Sequence, residues 1–170
     1  MDNPLRRGEV RHALTHAGLR AGEIVLELGP GSDAFALDAA RRVGPEGKVI
    51  AVDVQPEMIA RVQARIQAAG VTNVENHVAR AYELPLEDAS VDRAYLITVL
   101  PEIPDPVRTL RELYRVLKPG GIVSITEEFL DPNYPLRSTT DAWAATAGFV
   151  PAGRYGNFWV YTLNYRTPAN

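Results

Sequence analysis

The run Ile24-Val25-Leu26-Glu27-Leu28-Gly29-Pro30-Gly31-Ser32-Asp33-Ala34-Phe35 constrains the rest of the chain. Its apolar part is too short for a helix. It breaks at two glycines and passes into an apolar-periodic segment from Ala36 to Val43, so it reads as strand, tight turn, helix. A turn of this kind can receive a ligand. Glycine lacks the Cβ that would hold a ligand off the main chain, and the start of the next helix offers unpaired N–H groups at a positive dipole end. A carboxylate or a phosphate suits that environment.

The next apolar run, Val49 to Val52, ends on Asp53, about 20 residues beyond the turn, where nucleotide-binding α/β folds set a carboxylate against ribose hydroxyls. Gly29-Pro30-Gly31-Ser32-Asp33-Ala34 also fits the dinucleotide pattern G-x-G-x-x-G/A. Short glycine patterns also occur in turns that bind nothing, so the remaining segments have to decide.

Strand and helix alternate along those segments. Residues 5 to 19 suggest a short amphipathic helix ending at Gly18, and Lys48 to Val52 a second strand. Pro56 opens a helix carried by Ile59, Val62, Ile66 and Ala69, and Val74 to Ala79 is a third strand. Val91 to Val99 is apolar enough to be a strand buried on both faces. Asp105-Pro106 supplies an N-cap and a first-turn proline for a helix that Lys118-Pro119-Gly120-Gly121 stops, before a fifth strand from Ile122 to Thr126. Ser138-Thr139-Thr140-Asp141 reads as a capping box for a helix to Ala147. Phe149 to Tyr155 and Phe158 to Tyr165 read as a closing strand pair joined through Gly156-Asn157. This order predicts an α/β, doubly wound Rossmann-like sheet, mostly parallel and seven-stranded, with one antiparallel strand near the C-terminus and helices on both faces.

A chain of 170 residues with 46% hydrophobic and 23% charged residues suits one domain with a proper core. Its net charge of -3 and lack of any long basic cluster give no electrostatic case for nucleic acid. No apolar run approaches the roughly 18 residues of a membrane span and no N-terminal h-region is present, so the expectation is a cytoplasmic protein without an integral membrane segment. Zero cysteine removes disulfides and thiolate metal sites, and no metal is expected.

Several motifs then fall in a telling order. Val25-Leu26-Glu27-Leu28-Gly29-Pro30-Gly31 is followed by Ala51-Val52-Asp53, by Leu84-Pro85-Leu86-Glu87-Asp88-Ala89-Ser90-Val91-Asp92, by Ile103-Pro104-Asp105-Pro106, and by Arg115-Val116-Leu117-Lys118-Pro119-Gly120-Gly121. With this set the chain resembles the class I S-adenosylmethionine-dependent methyltransferases, in their small-molecule, methyltransferase-domain 11/25-like branch. The resemblance implies one domain over 1–170, with a cap at 1–20, a cofactor-binding core at 21–130, and a C-terminal helix and β-hairpin at 131–170. It implies S-adenosyl-L-methionine as cofactor, S-adenosyl-L-homocysteine as product, and a small-molecule or lipid-like acceptor methylated by in-line displacement. The Gly29, Pro30, Gly31 turn, with Ser32 and Asp33, would hold the methionine part, and Glu27 would order the loop or a water near the ammonium. Asp53 would accept the ribose hydroxyls, Val54, Gln55 and Met58 would flank the adenine, and Arg80 and Ala81 would lie at its far edge. Thr98 would form the floor near the sulfonium.

Two positions depart from the family pattern. Asp33 stands where motif I usually has a third small residue, and Arg80 stands where an aspartate commonly accepts the adenine amino group. Arg80 is a donor with no acceptor capacity, so it would stack on the base, face solvent, or pair with Glu83. These departures keep open a degenerate binding or scaffold protein, and the literal glycine match keeps open an NAD-type dinucleotide binder. Methyl transfer needs alignment and dryness more than a triad, and His12, His16 and His77 are scattered. Glu102, Glu127 and Glu128 are the candidate carboxylates if the acceptor must lose a proton. The chain is short for this family, so the acceptor site is either open or completed by a second copy in a homodimer.

Overall fold

The computed structural model describes residues 12–31, 35–129 and 131–169. After helix α1 over residues 12–17 come β1 (Ile24–Leu28), α2 (Phe35–Val43), β2 (Lys48–Asp53), α3 (Pro56–Ala68), β3 (Val74–Val78) and β4 (Val91–Ile97). A 3-10 turn at Leu100–Glu102 leads to α4 (Pro106–Val116), β5 (Leu117–Glu128), α5 (Arg137–Thr146), β6 (Val150–Gly156) and β7 (Val160–Arg166). The strands form one seven-stranded sheet in the order β3-β2-β1-β4-β5-β7-β6. β1 to β5 are parallel where they pair, and β7 runs antiparallel to both β5 and β6.

The residue pattern explains this architecture. Val25, Leu26, Val49, Val52, Ala94 and Leu96 are buried because β1, β2 and β4 are covered on both faces, as their continuous apolar runs require. On one face Leu14, Ala36, Ala40, Val43, Val62 and Ile66 of α1 to α3 pack on Val25, Val49, Ala51 and Tyr95. On the other, Leu110, Leu113, Val116 and Ala144 of α4 and α5 pack on Leu26, Val52, Leu96, Ile125 and Leu163. Each such large side chain contributes about 1.5–3 kcal/mol on burial. The chain winds outward from β1 to β3 and then crosses to β4 on the other side of β1. The strand order therefore reverses between β1 and β4, and a crevice opens beyond their carboxyl ends.

Local signals hold at several helix starts. Asp105 accepts the Arg108 N–H at 2.9 Å, with Pro106 in the first turn of α4, and Pro56 does the same for α3. The N-terminal helix is tied to the sheet by buried Arg93, whose Nε donates to Glu23 at 2.8 and 2.9 Å and whose Nη1 donates to the Ala17 carbonyl at 3.1 Å. The part of this helix expected before residue 12 lies outside the described residues.

Four expectations are corrected. β4 ends at Ile97, because Thr98 takes φ +54 and turns the chain into the 3-10 segment. β5 begins at Leu117, which pairs with Val91, and a register shift before the Arg93–Ile122 pair absorbs the Pro119-Gly120-Gly121 turn. The capping box does not form: α5 starts at Arg137 behind Leu136 with no side-chain cap. Asp141 is engaged elsewhere, accepting from the Tyr165 hydroxyl and from Arg154, each at 2.8 Å. In the closing hairpin Phe158 and Trp159 belong to the turn, where Asn157 Oδ1 accepts the Trp159 N–H at 2.8 Å.

Candidate functional site

The crevice holds a cleft of about 810 Å³ at the carboxyl ends of β1, β2 and β4. Gly29 shapes its base. Its N–H donates to the Val52 carbonyl at 2.8 Å, its φ is +72, and a Cβ there would stand 2.7 Å from both Val99 methyls. Only glycine meets that turn without strain and without displacing Val99. Gly31 follows with φ +55.

Beneath the turn Glu27 is buried on β1, and its Oε2 has no hydrogen-bond partner. Burial pushes its carboxyl up to about 8; the neighbouring Tyr95 hydroxyl opposes this and the Asp53 charge adds to it. Asp53, at the end of β2, uses Oδ1 to accept the Gln55 N–H at 2.9 Å, which turns the chain into α3. Met58 and Arg61 follow on α3, with Arg61 Nη1 4.0 Å from the Met58 sulfur. The opposite rim is the loop after β3. The Ala79 N–H donates to the Asp53 carbonyl at 3.0 Å and so fixes Arg80, Ala81 and Tyr82 across from Asp53. The Arg80–Glu83 pairing is not formed, since Glu83 lies 3.6 Å from Arg108. Arg108 also sits 4.2 Å from the centroid of the Tyr82 ring.

Thr98 closes the floor. A β-branched residue at φ +54 is a true outlier, held here by its N–H bond of 2.8 Å to the Thr126 carbonyl. Glu102 and Glu128 border the cleft beyond it. Burial, and then Asp131, push the Glu102 carboxyl upward. Glu127 is fully buried, and neither of its carboxylate oxygens has a hydrogen-bond partner. Burial, with Asp131, Glu102 and Glu128 nearby, pushes it up to about 9.

Thus Glu27, Gly29, Pro30, Gly31, Asp53, Val54, Gln55, Met58, Arg80, Ala81, Thr98, Glu102 and Glu128 all border one cleft. Ser32 and Asp33 lie outside the described residues. Glu127 shares a face of β5 with Val123 and Ile125 and is not on the cleft wall. Phe35, Arg61, Tyr82 and Pro104 also line the cleft without having been singled out. Arg61 was within reach of sequence reasoning, because it follows Met58 by three and shares its helix face. The three histidines stay away: His12 and His16 border a separate small hollow, and His77 pairs with Glu75 at 2.6 Å.

Comparison with known proteins bears on this geometry. The family model "Methyltransferase domain" matches residues 26–125. An arsenite methyltransferase of Halobacterium salinarum is 36% identical over 119 residues, which is 70% of this chain and 30% of that protein. The ubiquinone/menaquinone biosynthesis C-methyltransferase UbiE of Pasteurella multocida is 33% identical over 126 residues, covering 72% of this chain and 47% of that protein. The chain therefore spans less than half the length of these two relatives. The crystal structure of a SAM-dependent methyltransferase from Aquifex aeolicus superposes with a TM-score of 0.89 at 25% identity, covering 97% of this chain and 94% of the other. Motif order, strand order and cleft agree with these matches, and the chain belongs to the class I S-adenosylmethionine-dependent methyltransferases, a family whose cofactor is S-adenosylmethionine.

Proposed function

We propose that this chain transfers a methyl group from S-adenosylmethionine to a small-molecule acceptor held at the Thr98 side of the cleft. The observation that carries this reading is the convergence of Glu27, Gly29 and Asp53 on one cleft from two adjacent strand ends. The residues suit the cofactor. At Gly31 a Cβ would meet only the Gly29 carbonyl at 4.0 Å, which leaves the main chain there open to a ligand, and the buried Glu27 oxygen without a partner suits a cationic ligand close above it.

The cofactor supplies an activated methyl on a sulfonium, and the protein supplies position and dryness. In this reading Asp53 takes the ribose hydroxyls with its carboxylate, and Met58 and Val54 flank the base. The Gly29 to Gly31 turn receives the amino acid end, and Thr98 orients the floor next to the methyl. Glu102 or Glu128 takes a proton where the acceptor has one to lose. The arsenite relative suggests a soft acceptor, but this chain has no cysteine to hold one, so an organic acceptor fits better. No helix among the described residues is long and apolar enough to cross a membrane, and we take the enzyme to act in the cytoplasm, alone or as a homodimer. Calorimetric titration with S-adenosylmethionine, S-adenosylhomocysteine and NAD in parallel tests the reading. Micromolar binding of the first two and none of NAD is expected, and silence from both sulfur ligands overturns it.

Two further outcomes follow from individual side chains. Arg80→Asp should tighten S-adenosylmethionine binding by about tenfold, since it replaces a donor with an acceptor at the adenine edge. An unchanged dissociation constant would mean that Arg80 faces away from the base. Binding at pH 7 should also release roughly 0.5–1 proton, because a Glu27 carboxyl at about 8 is mostly protonated when the cleft is free and ionises beside a cationic ligand. Titration in two buffers of different ionisation enthalpy reads this number. A Glu27→Gln protein with the same buffer dependence would count against it.

A further inference from the structure

Glu27 has two neighbours in register across the sheet, Ala51 on β2 and Tyr95 on β4. Side chains paired in this way share one face, with the strands about 4.8 Å apart. Alanine has nothing polar to offer, so Tyr95 is the neighbour that brings a side-chain donor to the carboxyl. Tyr95 is 1% exposed and Glu27 2%, and among the described residues neither the Tyr95 hydroxyl nor Glu27 Oε2 has a hydrogen-bond partner. The hydroxyl lies in a layer otherwise formed by apolar side chains such as Leu14, Val25, Ala39, Val43 and Val49. Phenylalanine would fill that place without leaving a buried oxygen unpaired. Glu27 lines the cleft and Tyr95 does not, so Glu27 stands between the hydroxyl and a ligand.

Two unpaired polar atoms side by side in a dry layer are completed by a change of charge. While protonated, the Glu27 carboxyl has an O–H of its own; once ionised it only accepts, and the Tyr95 O–H can turn to it. Burial is the main cause that keeps Glu27 protonated and Asp53 adds to it, while the Tyr95 hydroxyl acts in the opposite sense. Burial, then Glu27, then Asp38 of α2 push the Tyr95 hydroxyl up, so it remains a donor throughout the working range. An ammonium group above Glu27 supplies the charge that the ionised carboxylate needs.

We propose that Tyr95 is a positioning residue for the methionine end of the cofactor: its hydroxyl donates to the ionised Glu27 and makes the floor beneath the Gly29 turn selective for an ammonium group. The inference rests on the methyltransferase reading, since it assigns how that site selects the amino acid end of its ligand.

Calorimetric titration of the full chain and of Tyr95→Phe tests it with two probes, S-adenosylhomocysteine and 5′-methylthioadenosine, which keeps the nucleoside and the thioether but lacks the ammonium. At pH 7 the variant should bind S-adenosylhomocysteine about five- to tenfold more weakly, because losing a donor to the charged form makes Glu27 harder to ionise. That loss should shrink below about twofold near pH 9.5, above the value of about 8 of the parent carboxyl, and the ligand's own titration cancels in the ratio of the two proteins. 5′-Methylthioadenosine should bind both proteins alike, and in a Glu27→Gln background Tyr95→Phe should change nothing. The variant should also melt no lower than the parent, since the oxygen it removes is unpaired in the free chain. A tyrosine of purely structural value would instead weaken both ligands equally at both pH values. Equal affinity of parent and variant for S-adenosylhomocysteine at pH 7, a loss that persists near pH 9.5, or an equal loss for 5′-methylthioadenosine overturns the assignment, and S-adenosylhomocysteine bound to the parent then keeps the methyltransferase reading. Failure of the parent to bind S-adenosylhomocysteine overturns both.

Discussion

Asp53→Ala is expected to weaken S-adenosylmethionine binding by about 100-fold or more, because two hydrogen bonds from ribose hydroxyls to an ionised carboxylate are each worth about 1.5–3 kcal/mol. Asp53 also has a local task, since Oδ1 accepts the Gln55 N–H that starts α3. Asp53→Asn separates the two roles. It keeps an oxygen for Gln55 and lowers only the charge and the second acceptor, so it should melt near the parent protein while still losing about tenfold in affinity. Calorimetry on both variants measures this. If both bind as the parent does, the ribose is held elsewhere and the reading of the β2 tip is wrong.

Glu127→Gln is expected to stabilise the protein at pH 8 by on the order of 2–4 kcal/mol relative to its effect at pH 5. The folded-state carboxyl sits at about 9 against an ordinary 4.5, so between those values the unfolded chain gives up a proton that the folded chain keeps. The folded state then binds more protons, and stability falls as pH rises across that window, by about 1.4 kcal/mol per pH unit for such a group. Below 4.5 both states are protonated and the contribution is fully present. Glutamine cannot ionise and is spared the loss. Glu27, pushed up to about 8, adds a similar slope of its own, so the variant should flatten the pH profile in part. Urea unfolding at pH 5 and pH 8 reads the difference. Identical slopes for parent and variant would show that water or a cation already reaches Glu127.

Most of this site was legible because its parts are local. The Gly29 turn, the acid ending β2 and the prolines opening α3 and α4 are each decided by a few consecutive residues. Where a residue's partner lies far along the chain, the reading slipped. Ser138 to Asp141 has the letters of a capping box, yet Asp141 is held by Tyr165 and Arg154 on β7 and β6. Lys118 to Gly121 has the letters of a helix stop and a loop, yet Leu117 before it already pairs with Val91. Glu127 and Glu128 looked equivalent in sequence. Period-two alternation along β5 separates them, placing Glu127 with Val123 and Ile125, and Glu128 with Ser124 and Thr126. That argument was available once the strand's extent was known. The direction of Arg80 depends on what crosses the cleft, and no local pattern encodes it.

The position of β7 between β5 and β6 has a consequence for synthesis. Residues 117–128 expose an open strand edge on the ribosome until residues 160–166 have emerged, since β7 is the strand that covers it. β6 and β7 are neighbours joined by a short turn, so they can zip together first and dock as a ready-made ribbon. A fragment stopping at residue 125, where the family match ends, would keep that edge bare and be prone to self-association, so the last quarter of the chain protects the parallel sheet as it forms.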